Sequence, residues 1–253
     1  MNGGGRAAAE RQRKAAATAS GDPPPDCRRC PRLAAWREEQ AAAFPDWHNA
    51  PVASFGPLDA ALLVVGLAPG RRGANRTGRV FTGDGAGKIL FDTLGRFGFM
   101  AGRYDGRADD GLRPVDCRIT NAVRCLPPEN RPTVAEIASC GPFLAAEVAA
   151  MPRLRAVLAL GAVAHAATLA ALTLRPAGYR FAHGAAHDLP NGLVLIDSYH
   201  CSRQNTNTGR LTPEMFADVF AAARRIVEAA TAASDAAAPL SENSRARSLS
   251  GRS

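Results

Sequence analysis

Ala156-Val157-Leu158-Ala159-Leu160-Gly161-Ala162-Val163-Ala164-His165 opens a run of 19 residues, ending at Leu174, that carries no charged side chain. Arg155 and Arg175 flank it, and the run is nominally long enough to span a bilayer. Two features point elsewhere. Gly161 divides it into a β-like stretch, Ala156 to Leu160, and an Ala-rich helical stretch from Ala162. His165 sits near its centre, a costly position in lipid. The run therefore reads as a buried strand followed by a helix. Outward from it the same alternation recurs. Ala61 to Gly66 is continuously apolar, the pattern of a strand covered on both faces. Cys117 to Val123 and Leu193 to Ile196 read as two more strands. Between them lie helices over Arg32 to Ala43, with Leu33, Trp36 and Gln40 on one face, and over Ala86 to Phe97. Thr133-Val134-Ala135-Glu136 is a capping box that opens another helix, which Pro142 is expected to kink or split. Thr212-Pro213 starts a last helix to about Ala230. Alternating strands and helices predict an α/β fold with a parallel sheet covered on both faces, and chemistry at the carboxyl ends of its strands.

The 253-residue chain is 46% hydrophobic and 21% charged. That composition supplies a sizeable core and excludes wholesale disorder. Residues 1–26, ending in Pro23-Pro24-Pro25, read as a flexible arm, and 231–253 as a Ser/Ala/Arg tail; 27–230 are expected to fold as one domain. Arg6, Glu10, Arg11, Arg13 and Lys14 interrupt the Ala-rich start, so no secretory signal is read there. The expectation is a cytoplasmic monomer, away from membranes, with reduced or metal-bound thiols. The net charge is +8, and 29 of the basic residues are Arg. Guanidinium suits phosphate, so a polyanionic partner is one reading. A GC-rich coding sequence, matching the Ala and Gly abundance, accounts for the larger share of the Arg excess.

Three loops at strand ends are rich in chemistry. The first runs from Gly66-Leu67-Ala68-Pro69-Gly70 to Asp84. Its end, Gly83-Asp84-Gly85-Ala86-Gly87-Lys88, superficially resembles a P-loop, but Thr82 stands where that pattern needs Gly and Ile89 where it needs Ser or Thr. The second is Thr120-Asn121-Ala122-Val123-Arg124-Cys125, whose Asn offers a donor and an acceptor from one amide. The third runs from Asp197 to Thr212, dense in hydrogen-bonding groups and carrying Arg203 and Arg210, as a phosphate-gripping surface would.

Cys27 and Cys30 form a C-x2-C pair, and Cys125 and Cys140 are 15 positions apart. Four such thiols can hold Zn or an iron–sulfur cluster, and spacing alone leaves both open. Cys117 and Cys201 stand apart. His183 and His187 are spaced i, i+4, but in a Gly/Ala loop with no third ligand in view, so no Zn site is expected there. His165 reads as a helix residue near the core, and Phe44 and Trp47 as core.

Taken together, the loops resemble the uracil-DNA glycosylase superfamily, and most closely its type 5, iron–sulfur branch. The resemblance rests on Cys27-x2-Cys30, Gly66 to Gly70, Asn75 to Asp84, Thr120 to Cys125, Cys140 and His200-Cys201-Ser202-Arg203-Gln204-Asn205-Thr206. It implies a three-layer α/β/α fold on a four-stranded parallel sheet, and a [4Fe–4S] cluster on Cys27, Cys30, Cys125 and Cys140, with Zn as the alternative. It also implies a DNA-repair activity that flips a deaminated base, uracil above all, from DNA and hydrolyses its N-glycosidic bond. Phe81 would stack on the base, Asn121 would pair with its edge, and His200 would stabilise the departing anion. Asp84, which also reads as a helix N-cap, would orient water or stabilise the sugar cation. Gly66, Leu67, Ala68, Pro69 and Gly70 would line the pocket; Ser202, Arg203, Gln204 and Arg210 would hold DNA. Most branches carry a polar side chain at the position of Ala68, as type 5 does not. A broader range, including hypoxanthine, is expected from that apolar wall. Cys201 replaces Pro or Val and would put an oxidisable thiol beside His200. A type 4 enzyme and a non-catalytic, metal-bound nucleic-acid binder on the same fold are the alternatives.

Overall fold

Residues 21–237 are described by the structure, a computed structural model. The first 20 residues of the predicted arm and residues 238–253 of the tail lie outside the described residues. In chain order the elements are α1 (Pro31–Ala43), β1 (Leu62–Gly66), α2 (Ala74–Thr77), α3 (Gly85–Arg96), β2 (Met100–Ala101), β3 (Arg113–Pro114), β4 (Cys117–Asn121), α4 (Val134–Ala149), β5 (Ala156–Leu160), α5 (Ala162–Ala171), β6 (Ala186–Asp188), β7 (Val194–Ser198), α6 (Arg203–Asn207) and α7 (Pro213–Ala237). The stretch from Ala156 is thus a strand and a helix, and among the described residues no helix is long and apolar enough to cross a membrane.

The main sheet has the order β4-β1-β5-β7-β6. Its first four strands are parallel, as expected, with Gly66 level with Asn121 and Leu160 level with Ser198. A fifth strand, β6, runs antiparallel along the β7 edge. It is only three residues long and largely exposed, so no apolar run announces it. Alternation sorts the core. Leu62 and Val64 of β1 pack with Leu90, Phe91 and Leu94 of α3 and Phe216 and Phe220 of α7. Leu63 and Val65 pack on the opposite face with Leu144 of α4 and Ala164 and Leu169 of α5. Each such side chain contributes about 1.5–3 kcal/mol by leaving water.

Four local readings change. The end of the predicted arm is packed: Gly21, Asp22 and Pro23 are buried, and Asp22 accepts hydrogen bonds from Arg124 and Ser54. α4 runs unbroken from Val134 to Ala149 with Pro142 inside it, so the proline does not split it. Arg37, not Trp36, joins Leu33 and Gln40 on the buried face of α1. Phe44 and Trp47 stack on each other, ring centroids 4.1 Å apart, but remain half-exposed.

The segment leading to α3 is pinned by one ion pair. Arg79 donates to both carboxylate oxygens of Asp110 at 2.7 Å, and its Nε donates to Thr82 Oγ1 at 2.8 Å. The guanidinium holds the Asp110 carboxyl at about 2, well below its ordinary value, and both side chains are nearly fully buried. A depressed carboxyl pKa stabilises the fold above its unfolded value and loses that contribution as pH falls toward 2. Asp110→Asn should therefore lower stability by on the order of 2 kcal/mol near neutrality. The gap to wild type should close between about pH 4 and pH 2, read as paired urea midpoints. A gap independent of pH would dismiss this pair as the anchor.

Candidate active site

β1 ends at Gly66 and β4 at Asn121, side by side in register. Beyond these ends and that of β7 opens a cavity of about 800 Å³. Leu67 to Gly70, Phe81, Asp84, Asn121, His200, Ser202, Arg203 and Gln204 all line it, so the three loops converge on one space. Gly66 lies directly behind. A Cβ there would stand 2.4 Å from Asn121 Oδ1 and 2.5 Å from Phe81 Cζ, nearer than real Cβ contacts come. Only glycine lets these two side chains close over the strand end.

Phe81 occupies the left-handed region, φ +53°, which a bulky residue adopts only when its surroundings impose it. They do. The Tyr104 hydroxyl accepts from the Gly83 N–H at 2.9 Å, and Thr77 Oγ1 donates to the Thr82 carbonyl at 3.1 Å. A side chain at Gly87 would collide with the Phe81 carbonyl. The ring is buried among core residues yet lines the cavity, stacked on His200 with centroids 5.9 Å apart and planes 24° apart.

Asp84 does two things at once. Its Oδ1 caps α3 by accepting from the Gly87 N–H at 3.0 Å. Its Oδ2 sits over Gly73, where a Cβ would come within 2.5 Å of it. Burial lowers the pKa of His200, and the negative charge of Asp84 opposes this more weakly, so the imidazole is neutral at neutral pH. Neither the His200 ring nor the Asn121 carboxamide hydrogen-bonds to another side chain or backbone group among the described residues. Both are open to a ligand.

In the third loop, Ser202 caps α6, accepting from the Asn205 N–H at 3.4 Å. Arg203 and Gln204 are exposed at the rim. Arg210 stands apart from the cavity lining, its guanidinium 4.6 Å from the Tyr199 ring centre. The reactive-thiol expectation for Cys201 fails. The thiol is fully buried, donates to the Ala86 carbonyl at 3.5 Å, and is pushed up to about 12 by burial, which removes thiolate character. Sequence reasoning also missed Glu129, Asn130 and Arg131, which line the same cavity. Glu129 and Asn130 both have φ +55°. The flanking Pro127, Pro128 and Pro132 were the signal for that sharp turn.

Cys27, Cys30, Cys125 and Cys140 line a second, small and mostly apolar cavity with Leu33, Val123 and Phe143. Burial pushes Cys125 up to about 12 and raises Cys140 and Cys30, each further raised by neighbouring thiols of the set. Donors face these sulfurs. Arg37 Nη1 lies 3.6 Å from Cys125 Sγ and the Arg124 N–H 3.4 Å from Cys140 Sγ. The four thiols, the facing donors and the apolar wall fit a metal group held by thiolates. Ala68 packs on this cage and also lines the larger cavity, so the two sites share a wall.

The reading of the other histidines needs one correction. His187 does have partners: its Nε2 is 3.2 Å from Asp197 Oδ2, and His165 Nδ1 is 2.7 Å from Asp197 Oδ1.

The sequence of the chain is 46% identical over 206 residues to a type-5 uracil-DNA glycosylase of Thermus thermophilus, covering 79% of this chain and 93% of that protein. It is 44% identical over 211 residues to one of Mycobacterium tuberculosis, covering 79% and 78%. It is 41% identical over 199 residues to one of Pyrobaculum aerophilum, covering 77% and 86%. Residues 53–224, which hold all three converging loops, match the family profile described as the Uracil DNA glycosylase superfamily. With its parallel sheet, glycine-walled cavity and strand-end loops, the chain belongs to the uracil DNA glycosylase superfamily.

Proposed function

We propose that the chain is a type-5 uracil-DNA glycosylase, which extrudes uracil, and other deaminated bases such as hypoxanthine, from DNA and hydrolyses the N-glycosidic bond. The observation that carries this reading is the meeting of Phe81, Asn121 and His200 around one cavity at the strand ends. A flipped base needs a stacking surface, an edge reader and a stabiliser for the charge it carries away. Phe81 supplies the first. The Asn121 amide, unpaired among the described residues, supplies the second: it can accept from a ring N–H and donate to a ring carbonyl together. The neutral His200 donates an N–H to the base oxygen where negative charge builds as the bond breaks.

Bond cleavage leaves an oxocarbenium-like sugar. The carboxylate of Asp84 faces the cavity from the N-terminus of α3. It stabilises that cation and orients the water that attacks C1′, whose proton it can accept. Ser202 and Arg203 hold flanking phosphates, and Gln204 enters the gap left by the base. Arg210 joins them as a more distant phosphate contact. Ala68 gives the pocket an apolar wall, so its shape rejects fewer bases than a fixed polar group would. That wall, the Gln204-Asn205-Thr206 stretch and the type-5 relatives favour type 5 over type 4. Cys27, Cys30, Cys125 and Cys140 would hold a [4Fe–4S] cluster. Its contribution is structural, tying the N-terminal segment to residues 125–140 beside the cavity. The enzyme would act as a cytoplasmic monomer on damaged DNA.

The deciding experiment is base release from a panel of uracil- and hypoxanthine-containing oligonucleotides. Uracil release by wild type, reduced by Asp84→Ala and by Asn121→Ala, is expected, with hypoxanthine released more slowly. DNA binding without any release would leave the non-catalytic reading standing, and strict uracil specificity would remove the broad-pocket part. Protein purified without oxygen should absorb near 400 nm, and Cys140→Ser should abolish that absorbance. A colourless wild type containing zinc would put zinc in the cage instead.

A further inference from the structure

A cluster of ligating side chains lies away from both the cleft and the cysteine cage. His165 of α5, His187 of β6 and Asp197 of β7 bring one ligand atom each within 4.8 Å of the others. Asp197 is fully buried, and the Ala182 N–H reaches its Oδ2 at 3.4 Å. His165 poses a problem of protons. Its Nδ1 is 2.7 Å from Asp197 Oδ1, and its Nε2 is 3.1 Å from the Tyr179 carbonyl oxygen. Both oxygens only accept, whereas a neutral imidazole carries one N–H. One ring lone pair would then face an oxygen lone pair inside the protein. Either a second proton or a cation resolves this conflict.

The surroundings favour the cation. With hydrogen on Nε2, donated to the Tyr179 carbonyl, Nδ1 presents a lone pair toward Asp197. A backbone carbonyl on the far nitrogen is what orients a metal-binding imidazole. His187 turns its Nε2 to the other carboxylate oxygen at 3.2 Å, completing two nitrogens and one oxygen. We propose that His165, His187 and Asp197 form a divalent-metal site, of a ligand set suited to Zn²⁺, distinct from the cysteine cage. Zinc takes nitrogen and oxygen ligands at about 2.0–2.2 Å, which sets tetrahedral neighbours about 3.3 Å apart. The His165–Asp197 contact at 2.7 Å would widen by about 0.6 Å to admit the ion, and the His187–Asp197 contact at 3.2 Å is already near that spacing. The His187 side chain is 16% exposed, so the ion can enter from the β6 side. Bound there, it fastens the short antiparallel edge strand and helix α5 to β7, three residues ahead of His200. This proposal stands independently of the glycosylase reading.

The test uses the full-length, untagged chain loaded with its iron. It is stripped with a chelator, equilibrated with zinc chloride, dialysed, and assayed for zinc and iron by mass spectrometry. Wild type should retain one zinc per chain with its iron unchanged, and its melting temperature should rise with zinc. His187→Ala, at a partly exposed edge position, should keep its iron but retain no zinc and show no rise. His165→Gln should behave likewise. Equal zinc in wild type and His187→Ala would overturn the proposal and leave an imidazolium–carboxylate network. Zinc gained only as iron is lost would also overturn it, by placing the ion in the cysteine cage.

Discussion

His200→Ala is expected to lower uracil release by about 100- to 1,000-fold, the cost of removing a donor aimed at developing negative charge. The loss should fall on kcat, with duplex affinity nearly unchanged, because the proposed role sets the ring against the base and not the phosphates. His200 is enclosed between Phe81 and the strand ends, and desolvation lowers its pKa despite the opposing pull of Asp84. A neutral donor gives up a hydrogen bond that strengthens only as the base becomes an anion, which is differential stabilisation of the transition state. The same shift fixes the pH profile. The active, neutral form persists below the ordinary histidine value, so the acid limb of kcat/KM should lie under about pH 6.5. His200→Asn retains a donor and should recover part of the rate. Equal loss in binding and turnover would assign the ring to DNA docking. An acid limb above the ordinary histidine value would show that burial does not govern its charge.

The parts of this molecule that were legible in advance are those where one segment carries the whole signal. Leu62 to Val65 is covered on both faces, so an unbroken apolar run marked β1 without reference to any other element. Asp84 and Thr133 announced helix starts through local capping chemistry, and the structure has both caps. The loop motifs showed the cleft residues because each motif is contiguous, although nothing in it reveals that Phe81 and Asn121 meet behind Gly66. What stayed hidden depends on partners distant in the chain. β6 is a strand only because β7 offers an edge. Arg37 is buried because the Cys27 carbonyl and Cys125 wait for it. His187 looked isolated because Asp197 and His165 reach it from 10 and 22 residues away. Asp22 sat in what reads as a mobile arm because its reason for being buried is an arginine at position 124.

That arginine anchors the largest expected loss of stability. Glu147 is fully buried and accepts from Arg118 Nε at 2.6 Å and Arg124 Nη2 at 2.5 Å, while Asp22 accepts from Arg124 at 2.8 Å. Two guanidinium groups and two carboxylates thus neutralise each other in the buried interior. Glu147→Ala leaves that cluster with an uncompensated positive charge and should cost about 3–5 kcal/mol. A pair at the surface behaves differently. Arg28 and Glu38 meet at 2.6 Å but are mostly solvent-exposed, so Glu38→Ala should leave the urea midpoint unchanged. Glu147→Gln keeps the shape and an acceptor but loses the charge, and should fall between. The effect should spread to the cysteine cage, because Arg124 precedes Cys125 and its backbone N–H points at Cys140 Sγ. Iron content in Glu147→Ala should therefore drop together with the midpoint, although no cysteine has changed. Full iron with a lowered midpoint would separate the two, confining the network to the core. A midpoint no lower than that of Glu38→Ala would mean that the buried charges are compensated from elsewhere.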